Sequence, residues 1–169
     1  DYGRDRAFLA KAYPHLREAS RFLLDFMIPN ATGELVISPS ASPENVYIRP
    51  DGQQSAFDEG VAMDGQIVGT LFRRTLAAAT LLDVDAELRG EIEQAAARLP
   101  RPRIGRHGQI MEWLQDYDET EQNHRHVSHL FFVHPGGELI PDRSPELAQA
   151  ARVSLQRRGD EGTGWCMAW

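Results

Sequence analysis

Apolar residues recur at helical spacing through the first 28 residues of the chain. They lie three or four positions apart, at Phe8, Leu9, Ala12, Leu16, Ala19, Phe22, Leu23 and Phe26. This spacing is typical of one face of an α-helix. Pro14 interrupts the run, and proline is tolerated in the first turn of a helix far better than in its interior. We therefore predict two helices, at 5–12 and 14–28, with Pro29 ending the second.

Three more segments have helical patterns. The first, 58–82, carries an apolar stripe at Ile67, Val68, Leu71, Phe72 and Leu76, the spacing of a buried helix face. The second, 85–99, is more polar and ends before Pro100. The third begins at Ser144-Pro145-Glu146, which combines a capping residue, a first-turn proline and an acid near the positive helix end. Gly159 is expected to end it.

Long segments between these helices are rich in Gly, Pro, Ser and Asn. We predict a loop over 31–55 with one short strand at Leu35–Ile37, and a mostly irregular segment over 100–143 with short helical pieces at 110–113 and 127–133. A further helix is expected to begin near Thr163. Helices joined by alternating long and short loops predict an all-α chain, part of a helical toroid whose long loops build a site at one rim.

Composition and charge exclude several classes of protein. The net charge is −7, from 18 basic and 25 acidic residues, whereas proteins that bind nucleic-acid phosphates normally present a basic face. No run of eighteen apolar residues occurs, so we predict neither a nucleic-acid partner nor membrane insertion. The single cysteine, Cys166, excludes an internal disulfide and a cysteine metal cage. From the apolar ending GTGWCMAW we expect a piece of a longer protein.

The segment EQNHRHVSHLFFVHPG, residues 121–136, holds four of the six histidines together with Arg125. Three interpretations are open. One is a metal site, although the two-histidine helical motif of zinc proteases is absent. Another is a structural role in which rings such as those of His129 and His134 hold loop carbonyls. The third is a clamp for an anion or a polyol, since a guanidinium supplies a fork of donors and imidazoles both donate and accept.

Carboxylates mark two other candidate segments. Glu44, in SPSASPEN at 38–45, is either an exposed residue of a capping turn or a partly buried general acid whose pKa is raised. Asp64, in AMDGQI, lies on an otherwise apolar part of a predicted helix, where an acid needs a partner.

Aromatic residues accompany the acids in the second half of the chain. Glu112 and Trp113 stand in GQIMEWLQDYDETEQ at 108–122, where an aromatic face could stack on a sugar and a carboxylate could bind its hydroxyls. A solvated acidic turn is the alternative, and a calcium loop is disfavoured because its glycine is missing. Trp165, in GDEGTGWCMAW, is either a core residue or part of a site.

Taken in order, these segments resemble glycoside hydrolase family 95. The matching blocks are SPxxSPEN, MDxQI, IGxxGQxxEWLxDYDE, HRHVSHLxxxxPG and SPELAxAARxSLxxRGDxGTGW. The resemblance extends from about Phe8 to Trp169. Members of this family include 1,2-α-L-fucosidases, and some act on α-L-galactosides.

The resemblance implies an (α/α)6 barrel, an inverting mechanism and no metal or organic cofactor. It assigns the general acid to Glu44, within SPEN, and a contact with fucose to Arg125 and His126, within HRH. The other substrate-binding candidates, which lie in family blocks without an individual contact assigned, are Glu112, Trp113, Trp165 and Asp64. On this basis the histidine segment is a sugar-recognition loop.

The family activates its water with asparagines upstream and an aspartate downstream, and neither block occurs in 1–169. We therefore expect these residues to be part of one catalytic domain and inactive when isolated. The expected partners are a fucosylated oligosaccharide or glycan and the rest of the parent catalytic domain. The alternatives are an α-L-galactosidase, a non-catalytic helical carbohydrate-binding or interaction module, and a histidine-rich metallohydrolase. The sequence leaves the compartment open, and a secreted or periplasmic parent is the location we consider.

Overall fold

The computed structural model describes residues 5–161 and 163–164. Most of the regular structure in this part of the chain is helical. The helices are α1 (Arg6–Phe26), α2 (Ala62–Leu82), α3 (Ala86–Ala96) and α4 (Pro145–Arg158), with a 3-10 helix at Ser128–Leu130. None of these helices is long and apolar enough to cross a membrane.

The described chain also contains short β-strands, which corrects the prediction of an all-α chain to a mostly helical one. The strands are β1 (Ile28–Pro29), β2 (Leu35–Val36), β3 (Tyr47–Ile48), β4 (Gln54–Ser55) and β5 (Asp118–Glu119). β1 pairs with β2, and β3 lies between β4 and β5, all antiparallel. β2 confirms the predicted strand. The pairing of β3 with β5 brings the Ser- and Pro-rich loop next to the acidic segment that follows Glu112.

The first helix is continuous, and the prediction of two helices separated at Pro14 is wrong. Pro14 lies inside α1, which Asp5 caps by accepting from the backbone N–H groups of Ala7 and Phe8 at 2.9 and 3.0 Å. Apolar residues on both sides of the proline pack against α2, in a cluster made of Leu9, Tyr13, Leu16, Ala78, Ala79 and Leu82. This packing outweighs the lost backbone hydrogen bond, which costs about 3 kcal/mol.

The main hydrophobic core lies between α2 and α3. Val68 and Phe72 of α2 are buried against Leu88, Ile92 and Ala95 of α3, and Met27 closes the cluster. The predicted helices at 58–82 and 85–99 are both present, each shorter than predicted. Asp83, at a φ of 59°, ends α2 in a left-handed conformation, so a three-residue turn separates the two helices.

A second core supports the segment that contains the histidines. Ala150 and Ala151 of α4 pack against Ile110, Leu130 and Phe132. α4 covers the predicted range and ends at Gly159, but Ser144 makes no capping hydrogen bond through its side chain.

Two of the predicted short helical pieces differ from the structure, and a third falls outside it. The piece at 110–113 is absent, since Ile110 forms an isolated β-bridge with Ile104. The piece at 127–133 is reduced to the 3-10 helix Ser128–Leu130. The helix expected from Thr163 falls mostly outside the described residues.

Substituting Pro14→Ala should raise the free energy of unfolding by about 1–3 kcal/mol, because it restores an N–H donor within α1 without removing a buried side chain. The matched control is Pro145→Ala, where proline occupies the first turn of α4 and removes no helical hydrogen bond. Urea unfolding followed by circular dichroism measures both. A gain at position 14 no larger than at position 145 would contradict the continuous α1.

Candidate functional site

Three of the predicted site residues meet in the structure. Glu44 lies beside Arg125 and His126, which follow it by about eighty residues in the chain. Glu44 forms an ion pair with the guanidinium of Arg125 through its Oε2 atom. Nε2 of His126 lies 3.3 Å from the same oxygen. The side chain of Glu44 is 57% exposed, so the partial burial considered for this carboxyl is not observed in the described chain. The loop at 38–45 and the histidine segment thus form one surface site.

A tight turn presents Glu44 to this surface. Its φ of 58° lies in the left-handed region, and the backbone N–H of Asn45 donates to the carbonyl of Ser42 at 3.1 Å. Ser42 and Asn45 are both buried. The buried residues Ser42 and Asn45 therefore fix the turn, while the side chain of Glu44 between them faces outward.

Glu112 anchors this turn from the interior. Its carboxylate accepts hydrogen bonds from Ser42, from Asn45 Nδ2 at 3.1 Å and from Arg158 Nη2 at 2.7 Å. His129, for which one of the open interpretations was a bond to a loop carbonyl, places Nδ1 3.3 Å from Oε2 of Glu112. These partners lie within the protein and give Glu112 a supporting position beneath the turn, while its contact with a substrate stays a prediction.

The charge of Glu112 is strongly favoured despite its burial. Desolvation by burial, the largest single effect, would raise the pKa of this carboxyl, but its interactions with His129 and Arg158 and the hydrogen bond from Ser42 together lower it to about 2. The buried carboxylate is therefore ionised throughout the neutral range.

Arg158, in the last turn of α4, connects the two segments that carry the site. It is 7% exposed. Its guanidinium donates to Glu112, to Glu119 and to the carbonyl oxygens of Gln122 and His126, the last two at 2.9 and 3.1 Å. From the sequence this arginine was assigned no role in the site. The available signal was its spacing from Ala151 and Ser154, which places it on the buried face of α4.

Trp113 and Asp64 do not join the Glu44 surface. Trp113 is buried and packs against Tyr47 and Tyr117, with ring centroids 5.3 and 6.5 Å apart, so its face is not open for stacking on a sugar. Asp64, in the first turn of α2, accepts a hydrogen bond from Ser40. Burial raises the pKa of Asp64, an effect that the bond from Ser40 opposes. Trp165 lies outside the described residues.

A cavity of about 160 Å³ opens beside Arg125 and His126. Its other lining residues are mostly apolar and comprise Met63, Val127, Ser128, Phe131, His134 and Pro135. Polar donors at one side and apolar walls at the other suit a ligand with both hydroxyl groups and C–H faces.

The described residues contain no group of three or more His, Cys, Asp or Glu side chains placed to hold a metal ion. The metal-site interpretation of the histidines thus has no ligand set in 5–161 and 163–164.

Comparison with known proteins identifies the class to which this fold and site belong. A family model described as the glycosyl hydrolase family 95 catalytic domain matches residues 1–169, so the chain falls within a family of glycosyl hydrolase catalytic domains. More specifically, the chain belongs to glycoside hydrolase family 95.

Individual relatives are similar over the same range. The chain is 39% identical to alpha-L-fucosidase 2 of Arabidopsis thaliana over 99% of its length, which covers 20% of that protein. It is 30% identical to probable alpha-fucosidase A of Aspergillus niger over its whole length, which covers 22% of that protein. The chain therefore spans about a fifth of the length of these relatives.

The low pKa of Glu112 predicts a loss of stability in acid. Its pKa falls from an ordinary 4.5 to about 2 in the folded state, so its contribution is complete above about pH 4.5 and disappears as the pH falls towards 2. The expected loss is about 3 kcal/mol. Urea unfolding between pH 2 and 6 measures it.

Glu112→Gln should be less stable at pH 6 and should vary less with pH below 4.5. Glu91→Gln, which changes an exposed carboxylate on α3, is the control and should follow the unmodified protein. Parallel pH profiles for Glu112→Gln and the unmodified protein would show that Glu112 does not carry the acid sensitivity.

Proposed function

We propose that this chain is part of the catalytic domain of an inverting α-L-fucosidase that removes terminal α-1,2-linked fucose from oligosaccharides or glycans. The observation that carries the proposal is the contact of Glu44 with Arg125 and His126 beside the apolar-walled cavity. Relatives named alpha-L-fucosidase 2 and probable alpha-fucosidase A support the sugar. The chain covers a fifth of these relatives, so the activity is proposed for the whole protein.

In this proposal Glu44 is the general acid. Its carboxyl proton passes to the glycosidic oxygen as the bond from that oxygen to the anomeric carbon breaks. A water molecule adds to the anomeric carbon from the opposite face and gives its proton to a base. That base belongs to another part of the protein, as the family resemblance implies. The released fucose then has the inverted β configuration.

Arg125 and His126 hold the sugar in this scheme. An ionised carboxylate has no proton to donate, so the Arg125–Glu44 ion pair describes the protein before substrate binds. Sugar hydroxyls would take over the donors of Arg125 and free Glu44 to be protonated. Fixing the hydroxyls also aligns the anomeric carbon with the attacking water.

The apolar part of the cavity supports a deoxy sugar. Met63, Val127, Phe131 and Pro135 contribute most of its wall, and a methyl group gains from contact with such a surface whereas a hydroxymethyl group would bury an unpaired hydroxyl. This favours fucose over L-galactose, the sugar of the related α-L-galactosidase activity. Comparison of kcat/KM for matched fucosides and L-galactosides distinguishes the two.

We also propose that α1 to α4 are part of one (α/α)6 barrel domain. Support comes from apolar side chains that the described chain leaves exposed. Phe22 and Phe26 stack at a centroid distance of 5.2 Å on the outer side of α1 while 60% and 47% exposed. Helices of the remaining domain would cover such a face. In this view the isolated residues 1–169 have little or no hydrolase activity.

Glu44→Gln in the full-length protein tests the general acid. The amide keeps the size of the side chain but cannot donate the proton, so kcat should fall by about 10²–10⁴-fold while KM changes little. The assay is release of fucose from an α-1,2-fucosylated oligosaccharide, with the configuration of the first product read by NMR. Glu146→Gln, an exposed acid in the first turn of α4, is the control.

Two results would contradict the proposal. Unchanged kcat in a folded Glu44→Gln protein would exclude Glu44 as the acid. Initial release of α-fucose would show that configuration is retained and would exclude the inverting mechanism.

A further inference from the structure

His124 differs from the two residues that follow it because its side chain points inward. It is 4% exposed, whereas the next residue, Arg125, reaches Glu44 at the surface. Its Nε2 atom lies 3.0 Å from the backbone carbonyl oxygen of Glu44. Its Nδ1 atom accepts from the backbone N–H of His126 at 3.2 Å. One buried ring thus joins the backbones of two residues proposed to act on the substrate.

The chemistry of these two partners determines the protonation state of the ring. A carbonyl oxygen can only accept, so Nε2 must carry a proton. A backbone N–H can only donate, so Nδ1 must carry none. The neutral ring with its proton on Nε2 satisfies both bonds, and a second proton on Nδ1 would remove the bond to His126.

We propose that His124 is a positioning residue of this site, which in its neutral form sets the separation between Glu44 and His126. The inference rests on the proposed function for its effect on turnover, but the two hydrogen bonds are independent of the substrate. Protonation of the ring releases the backbone of His126 and displaces His126 from its position beside Glu44. The site is then competent only while the ring is neutral.

Burial of the ring opposes its protonation, whereas the charges around it act in both directions. The groups that act on it are Arg158 of α4, Glu112 of the segment after α3, and Glu121 and His126 of its own segment. Burial, followed by Arg158, lowers the pKa of His124, while the two carboxylates oppose this shift. Because the folded pKa is below the ordinary 6.5, the stabilising neutral form is fully present above pH 6.5 and is lost as the pH falls towards the folded value.

Two substitutions in the full-length protein distinguish the hydrogen bond of His124 to Glu44 from its hydrogen bond to His126. His124→Gln places an amide donor near the position of Nε2 and can retain the bond to Glu44. His124→Asn places an amide oxygen near Nδ1 and can retain the bond to His126. His15→Asn, an exposed histidine on α1, is the matched control.

We expect both variants to lower kcat on an α-1,2-fucoside by about 10–100-fold with a smaller change in KM, because small displacements of reacting groups are costly. The unmodified protein should lose activity in acid as the ring of His124 becomes protonated. The Asn variant should not show this loss, since its amide does not titrate. Thermal melts confirm folding. Folded variants that keep the unmodified kcat and pH profile would overturn the proposal, as would an equal effect of His15→Asn.

Nitrogen NMR of the ¹⁵N-histidine-labelled full-length protein gives a second readout that does not depend on activity. The signals absent from His124→Gln assign the ring, and they should show a protonated Nε2 and an unprotonated Nδ1 at pH 7. A proton on Nδ1 at that pH would overturn the inference, and His124→Asn assigns the same signals should His124→Gln fail to fold. Should the unmodified protein hydrolyse no α-L-fucoside, the proposed function fails, and the NMR result alone decides the role of His124.

Discussion

The buried ion pair between Glu112 and Arg158 is the interaction on which the rest of the site depends. It joins α4 to the segment after α3, at 2.7 Å and with both side chains almost fully buried. Each partner holds a different part of the surface: Glu112 holds the turn of Ser42 and Asn45, and Arg158 holds the carbonyl of His126. Loss of one partner would leave the other charged and buried, which typically costs 3–5 kcal/mol.

The residues that support the site therefore differ from those proposed to contact the substrate. Glu44 and Arg125 are exposed and form an ion pair with each other at the surface. The residues directly beside them in sequence, Asn45 and His124, are buried and hydrogen-bonded to the backbone or to carboxylates. Alternating outward and inward side chains therefore let a loop site be both adaptable at its surface and fixed in its backbone.

Periodicity predicted most of the helices because their buried faces are local patterns. It failed at Pro14, where contacts with α2, over sixty residues away, override the local preference. Strands of two residues are too short to show alternation and escaped detection apart from β2. Family resemblance supplied Glu44, Arg125 and His126, which meet in the structure. The contacts of Arg158 with His126 and of His124 with Glu44 stayed hidden because they span 32 and 80 residues, and no local spacing encodes them.

At position 44 the left-handed backbone favours glycine, whereas the proposed chemistry requires glutamate. A glutamate with a φ of 58° carries a conformational cost of roughly 1–2 kcal/mol that glycine avoids. A library randomised at this codon and sorted for thermal tolerance would accumulate glycine or asparagine. If Glu44 is the proposed general acid, the same library sorted for sugar release would return glutamate, so redesign guided by stability alone would remove that acid.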